Sequence, residues 1–262
     1  MARKTRKREV VDEEVDEIIT ESIERSTKKQ WFCNFKIHNE FKLNDVHNTF
    51  MQMLLHKDTK MAFVDGPAGS AKSYLAVYAA LQMLQKKQIN QIVYIRSIVE
   101  SASKSIGSLP GEVGDKFHPW ALPLIEKLDE LVGSKVGGEL MRDGFIKCMP
   151  VNFVRGLTFR DSVVIVDEAQ NMSFSEKVTI LTRFGENTKY VVIGDSFQSD
   201  IGNKSGFSRI RQSFNDAESE QQGIHNFMFT ENEVVRSEIL KFIVKKLEGA
   251  QTDHAPKPTA HA

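Results

Sequence analysis

Three features of the sequence predict an α/β chain of the P-loop NTPase class, a three-layer α/β/α sandwich around a mostly parallel sheet. The first is the apolar run Met61-Ala62-Phe63-Val64, a buried-strand pattern that leads into the loop Gly66-Pro67-Ala68-Gly69-Ser70-Ala71-Lys72-Ser73 and then an apolar helix pattern from Tyr74. The second is another apolar run, Ser162 to Val166, ending at once in Asp167-Glu168. The third is the alternation of short strand patterns with helical stretches along the chain, which calls for parallel strands joined by crossover helices.

The first stretch is the organising one. Strand, glycine-bearing loop, Lys-Ser and helix form the context that a phosphate-binding loop requires. Backbone N–H groups of such a loop and of the helix start can wrap a phosphate. Lys72 is placed to reach the β- and γ-phosphates, and Ser73 to put its hydroxyl on Mg²⁺. One position departs from G-x-x-x-x-G-K-[ST]: Ala71 stands where the second glycine is usual. Alanine fits if position 71 is already helical and is strained if it needs positive φ. The expectation is the helical first turn.

Composition bounds the rest. At 262 residues the chain holds one large domain or two small ones, and 40% hydrophobic with 27% charged residues is the balance of a soluble globular protein. Lys and Arg number 35 against 35 Asp and Glu, a net charge of +0, so bulk electrostatics do not call for nucleic acid and leave only a local basic groove. Two cysteines, Cys33 and Cys148, are too few for a disulfide framework or zinc site, which fits a reducing cytoplasm. No apolar run reaches the length of a membrane span, so no membrane partner is expected.

Taken in order, residues 1–30 read as a charged arm, with Arg3, Lys4, Arg6, Lys7 and Arg8 ahead of an acidic helical stretch. Residues 31–248 read as the ATPase domain. Phe41, Asn44 and His47, just upstream of the first strand, are placed to cover a nucleotide base. Gln91 to Ile95 is a second strand, closed by Arg96-Ser97. Residues 101–150, rich in Gly and Pro, read as an insertion on the loop face of the sheet, with a helix near Leu124 to Val132 and a strand over Phe145 to Val151. Asp167 and Glu168 end the fourth strand, the Asp for the metal's water shell and the Glu to polarise attacking water. A helix follows near Ser175 to Phe184. Tyr190 to Ile193 is a fifth strand whose tip carries Gly194-Asp195-Ser196-Phe197-Gln198, with Gln198 placed to sense a γ-phosphate. Asn226 to Thr230 reads as a sixth strand, and Glu233 to Leu247 as an amphipathic helix opening near Arg236. Residues 249–262 read as a disordered tail.

GPAGSAKS (66–73), VIVDEAQN (164–171) and IGDSFQSDIG (193–202) resemble the PhoH family of P-loop ATPases. Supporting likenesses are Ile95-Arg96-Ser97 with Leu109-Pro110-Gly111, FVRGLTF (153–159), LTRFG (181–185) and EVVRSEIL (233–240). The resemblance covers about residues 40 to 248, and the single-ATPase-domain form is similar to versions carried by bacteriophages. It implies a RecA-like core related to superfamily-one helicases, ATP with Mg²⁺, a ring-like (hexameric) homo-oligomer, and RNA or single-stranded nucleic acid as partner. It also implies roles for Lys72 and Ser73 at phosphate and metal, Asp167 and Glu168 at metal and water, Gln198 at the γ-phosphate, and Arg236, or less directly Arg183, as an arginine finger offered to a neighbouring subunit. No second helicase domain is visible, and no upstream adenine-reading glutamine can be placed.

Three functions compete at this point. One is ATP hydrolysis coupled to nucleic acid. Another is a nucleotide-dependent assembly factor acting on protein partners. The last is a small-molecule kinase, which Gln170 and Gln198 beside Glu168 disfavour because amides there suit water as the acceptor.

Overall fold

The computed structural model describes residues 35–38, 41–97, 113–201 and 205–235 (for 113–120 the backbone alone), together with Ile239, Phe242, Ile243 and Lys246. The charged arm, the Leu109-Pro110-Gly111 stretch, Arg236 and the tail lie outside these residues.

Six strands make one sheet: β1 (Met61–Asp65), β2 (Gln91–Arg96), β3 (Ile146–Pro150), β4 (Ser162–Asp167), β5 (Thr188–Ile193) and β6 (Ile224–Met228). Their order is β3-β2-β4-β5-β1-β6 and every pairing is parallel. The expected sheet is thus present, and entirely parallel. Parallel strands are buried on both faces, which is why β1, β4 and β5 read as continuous apolar runs. Successive residues still divide between the faces. Ala62, Val64, Ile92, Tyr94, Val163, Ile165, Val191 and Ile193 enter one hydrophobic cluster. Met61, Phe63, Val93, Ile95, Val164, Val166, Tyr190 and Val192 enter the other.

The first face is covered by α1 (Asp45–Leu55), α2 (Lys72–Gln85), α3 (Val113–Val132) and α4 (Ser134–Arg142). The second is covered by α5 (Phe174–Leu181) and α6 (Phe207–Ser213), with 3₁₀ turns at Val151–Val154 and Ala169–Asn171; the short α7 (Ala217–Gln221) leads into β6. Two capping boxes start helices cleanly, Asn44 with His47 on α1 and Ser173 with Glu176 on α5.

The reading of 101–150 as an insertion is corrected for 113–150. Here α3 packs on α2 and β3, and Leu124, Leu128, Leu131 and Leu140 are buried in the first cluster. This segment is the crossover from β2 to β3, part of the helical layer. Pro119 and Pro123 both lie inside α3, which runs through them. The sixth strand begins two residues earlier than expected, at Ile224, and α5 ends at Leu181 rather than Phe184.

Candidate active site

In a parallel sheet the loops at the carboxyl ends of the strands converge. Here β5 alone separates β1 from β4, so the Gly66–Ser73 loop, Asp167-Glu168 and the Gly194–Gln198 tip meet at one edge of the molecule. Lys72 is buried, and its Nζ donates to Gly66 O at 2.6 Å, Pro67 O at 2.7 Å and Ser70 Oγ at 3.2 Å. Burial pushes its ammonium below the ordinary lysine range, while the carboxylates of Asp195, Asp167, Asp65 and Glu168 pull it back up. Four acids act on this one lysine, and two of them, Asp65 and Glu168, are also paired with Arg211 and Arg96.

Ser73, one residue on, donates from Oγ to Asp167 Oδ1 at 2.6 Å. Asp167 Oδ1 also receives the Glu168 N–H at 3.1 Å, and Oδ2 receives the Tyr94 hydroxyl. Tyr94 is buried in β2, where burial and the Asp167 charge both keep its phenol protonated. Glu168 is held in a left-handed backbone, φ 55°. Its Oε2 accepts from Gln170 Nε2 at 2.6 Å, and its Oε1 lies 3.7 Å from Arg96 Nη2. Gln170 in turn accepts the Asp195 N–H on Oε1 at 3.1 Å. A single buried amide therefore ties the β4 tip to the β5 tip.

The floor of the loop is Asp65, buried at the end of β1. Its Oδ1 accepts from Gly66 N at 2.9 Å and Ser196 N at 3.0 Å, and its Oδ2 accepts from Ser196 Oγ at 2.5 Å and pairs with Arg211 at 3.2 Å. Burial pushes Asp195 upward from the usual carboxylate range, and the neighbouring Asp65 charge adds to this; the Phe197 N–H and the Lys72 charge oppose it.

Two expectations need correction, the backbone at Ala71 and the base contacts of Asn44 and His47. Ala71 is not in the helical first turn. It precedes Lys72 at φ 61°, ψ 14°, left-handed, and its carbonyl accepts the first α2 bond from Leu75 N at 2.9 Å. The loop must reverse into the helix there, which is the demand that usually selects glycine. Gln198 sits on the expected tip, exposed, with its backbone N–H closing a turn onto Asp195 O, while Gln170 is the buried amide between the two tips. Asn44 and His47 do not face a base: Asn44 Oδ1 caps His47 N at 2.9 Å, and the His47 ring is fully buried. What borders the loop is aromatic, with Phe41 and Tyr74 ring centroids 5.7 Å apart and Phe41 edge-on to His47 at 5.3 Å. Arg183 follows α5, which runs back from the β4 tip to the start of β5, and so lies at the far end of the sheet from its own phosphate loop; the finger expected of it is for a neighbouring copy, not for this site. Ala68 and Gly69 form the open crest of the loop.

Tyr94, Asp65 and Arg211 were missed. A tyrosine inside an apolar strand and an acid closing one are both buried polar groups that must find partners, and that was the available signal.

The donors suit Mg²⁺. Ser73 Oγ and Asp167 Oδ1 are hard oxygens already within 2.6 Å of each other. Among the described residues no group of three or more His, Cys, Asp or Glu could hold a metal unaided. An ion held by one or two protein oxygens and completed by phosphates is the Mg²⁺ habit. Among the described residues no helix is long and apolar enough to cross a membrane.

Comparison with known proteins agrees with this arrangement. The PhoH-like protein family matches residues 42–248. A PhoH-like protein of Bacillus subtilis is 34% identical over 191 residues, covering 72% of this chain and 58% of the relative. A PhoH-like protein of Synechocystis is 33% identical over 200 residues, covering 76% and 60%. Protein PhoH of Escherichia coli is 33% identical over 172 residues, covering 64% and 48%. The chain thus spans about half to three fifths of the length of these relatives. With the loop at the end of β1, the acidic pair at the end of β4 and the match over 42–248, the chain belongs to the PhoH-like family of P-loop proteins.

Proposed function

We propose that this chain is an Mg²⁺-dependent ATPase whose hydrolysis is coupled to RNA or single-stranded nucleic acid within a ring-like, hexameric homo-oligomer in the cytoplasm. The observation that carries the reading is the 2.6 Å bond from Ser73 to Asp167, which joins the phosphate-loop helix to the acidic strand end across 94 residues of sequence. Lys72 leaves its loop carbonyls to meet phosphate oxygens. Ser73 and Asp167 would hold an Mg²⁺, which would neutralise charge on those oxygens. Glu168 orients and draws the proton from water, and Gln170 fixes the carboxylate. Phe41 and Tyr74, tilted against each other beside the loop, are the rings assigned to the base in this reading.

The test is phosphate release from ATP with and without Mg²⁺, in the presence of RNA, single-stranded DNA or no polymer. Glu168→Gln should retain ATP binding and lose at least about a hundredfold in turnover, as removal of a general base does. Undiminished turnover would remove Glu168 from its role. A second reading is a nucleotide-dependent assembly factor that acts on proteins alone. It is favoured by exposed apolar residues at the strand-tip end, Phe153 and Phe197. Under it, no polymer alters the rate.

A further inference from the structure

Arg96 closes β2 and stands beside Asp167 in the parallel register. Its guanidinium lies 3.7 Å from Glu168 Oε1, while Gln170 takes Oε2 at 2.6 Å. Both oxygens of the carboxylate assigned to water are therefore engaged by the protein. The next residue repeats the tie: Ser97 Oγ donates to Asn171 O at 3.1 Å. The end of β2 and the turn after Glu168 are thus joined at two points. Glu168 holds φ 55°, a backbone state that a non-glycine residue keeps only where surrounding contacts enforce it.

The pair is not sealed. The Arg96 side chain is 28% exposed and that of Glu168 39%, so an anion from solvent can compete for the guanidinium. Lys127 of α3 is a second cation here. Burial pushes its ammonium below the ordinary range, the Asp167 and Glu168 charges raise it, and the Arg96 charge lowers it. The Lys127 ammonium is held by Pro123 O at 2.8 Å, so the group open to an incoming phosphate oxygen is the Arg96 guanidinium, a planar fork suited to it.

We infer that Arg96 is a positioning residue that draws the Glu168 carboxylate off the line of the attacking water, and that a phosphodiester of a single-stranded nucleic acid releases it by replacing the carboxylate on the guanidinium. This rests on the ATPase reading above. It requires Arg96 to lower turnover in the absence of a strand, the opposite of what a phosphate-binding arginine does.

The experiment compares steady-state kcat and KM for ATP in wild type, Arg96→Ala, Arg96→Lys and Lys72→Ala, with and without poly(U). Hydrolysis that Lys72→Ala does not abolish, or no hydrolysis at all, defeats the ATPase reading and the restraint with it. Where Lys72-dependent hydrolysis is present, Arg96 is judged separately. Without polymer, Arg96→Ala should raise kcat about two- to fivefold at little change in KM, the range an exposed ion pair can supply. Arg96→Lys should fall between. The gain should vanish in a Glu168→Gln background. Poly(U) should stimulate wild type and leave Arg96→Ala near its already raised rate. A fall in kcat for Arg96→Ala would mean that the guanidinium serves the nucleotide's phosphates, and the restraint is overturned. An unchanged kcat overturns it too. Equal stimulation of both proteins by poly(U) overturns release through Arg96. Should Arg96→Ala melt well below wild type, Arg96→Gln provides the same comparison.

Discussion

Two residues of the site, Ala71 and Glu168, hold left-handed backbone without being glycine. A side chain bearing Cβ gives up roughly 1–2 kcal/mol in that conformation. Glycine at position 71 would remove this strain but would also loosen the unfolded chain, an opposing effect of about 0.4–1 kcal/mol. Ala71→Gly should therefore stabilise the protein by about 0.5–1 kcal/mol, read as a higher midpoint in urea unfolding. A lower midpoint would show that the methyl contributes packing that outweighs its strain. The departure from the usual loop pattern was plain in the sequence. Its conformational consequence was not, because φ at position 71 is set by where β1 and α2 are held by the rest of the sheet. The same limit applies to Gln170 and Gln198. Both are amides beside a strand tip, and only the distance between the β4 and β5 tips decides which one is buried between them.

At the scale of elements, the loop is braced by chain from far downstream. Phe229 N donates to Asp65 O at 2.8 Å, Val235 N donates to Gly69 O at 3.1 Å, and a Cβ on Gly66 would lie 2.7 Å from Phe229 Cβ. The segment after β6 thus presses on the phosphate loop, so Gly66 is required by close approach as well as by its φ of 145°. A second brace is Lys189 of β5, buried, whose Nζ donates to Leu54 O and, at 2.9 Å, to His56 O, closing the end of α1. Burial brings this lysine down to about 8 from its ordinary 10.5. Between those values the unfolded chain holds a proton that the folded chain has released, so stability from this group rises with pH across that window and is lost as pH falls through it. Measured against Lys189→Met, wild type should gain in relative stability from about pH 8 to 10.5. A difference that stays flat over this range would mean that the ammonium is solvated after all.

On the scale of the whole molecule, the described residues place Arg96 and Arg211 near the site, paired with Glu168 and Asp65. We propose that the arginine for a γ-phosphate comes from Arg236 of a neighbouring copy in a head-to-tail ring, since heterologous contacts close into rings. Exposed apolar side chains follow it at helical spacing, Ile239, Phe242 and Ile243, a face suited to a protein partner. Arg236→Ala and Lys72→Ala proteins should each be inactive alone and regain part of the activity when mixed. Mixed rings with verified subunit exchange and no recovery would exclude Arg236 from that role.

What the sequence determined by itself is local and periodic. Apolar runs such as Tyr190 to Ile193 announce buried strands because both faces of a parallel strand are covered, and Gly66 to Ser73 announces its loop because few residue types tolerate that path. The tertiary structure alone decided how distant tips meet. Strand order puts β5 between β1 and β4 and β2 beside β4, and that order brings Ser73 to Asp167, Tyr94 under Asp167, Arg96 to Glu168 and Arg211 to Asp65. Each of these pairs joins residues on different elements, and its distance depends on the packing of the whole sheet. No stretch of sequence read alone contains that information.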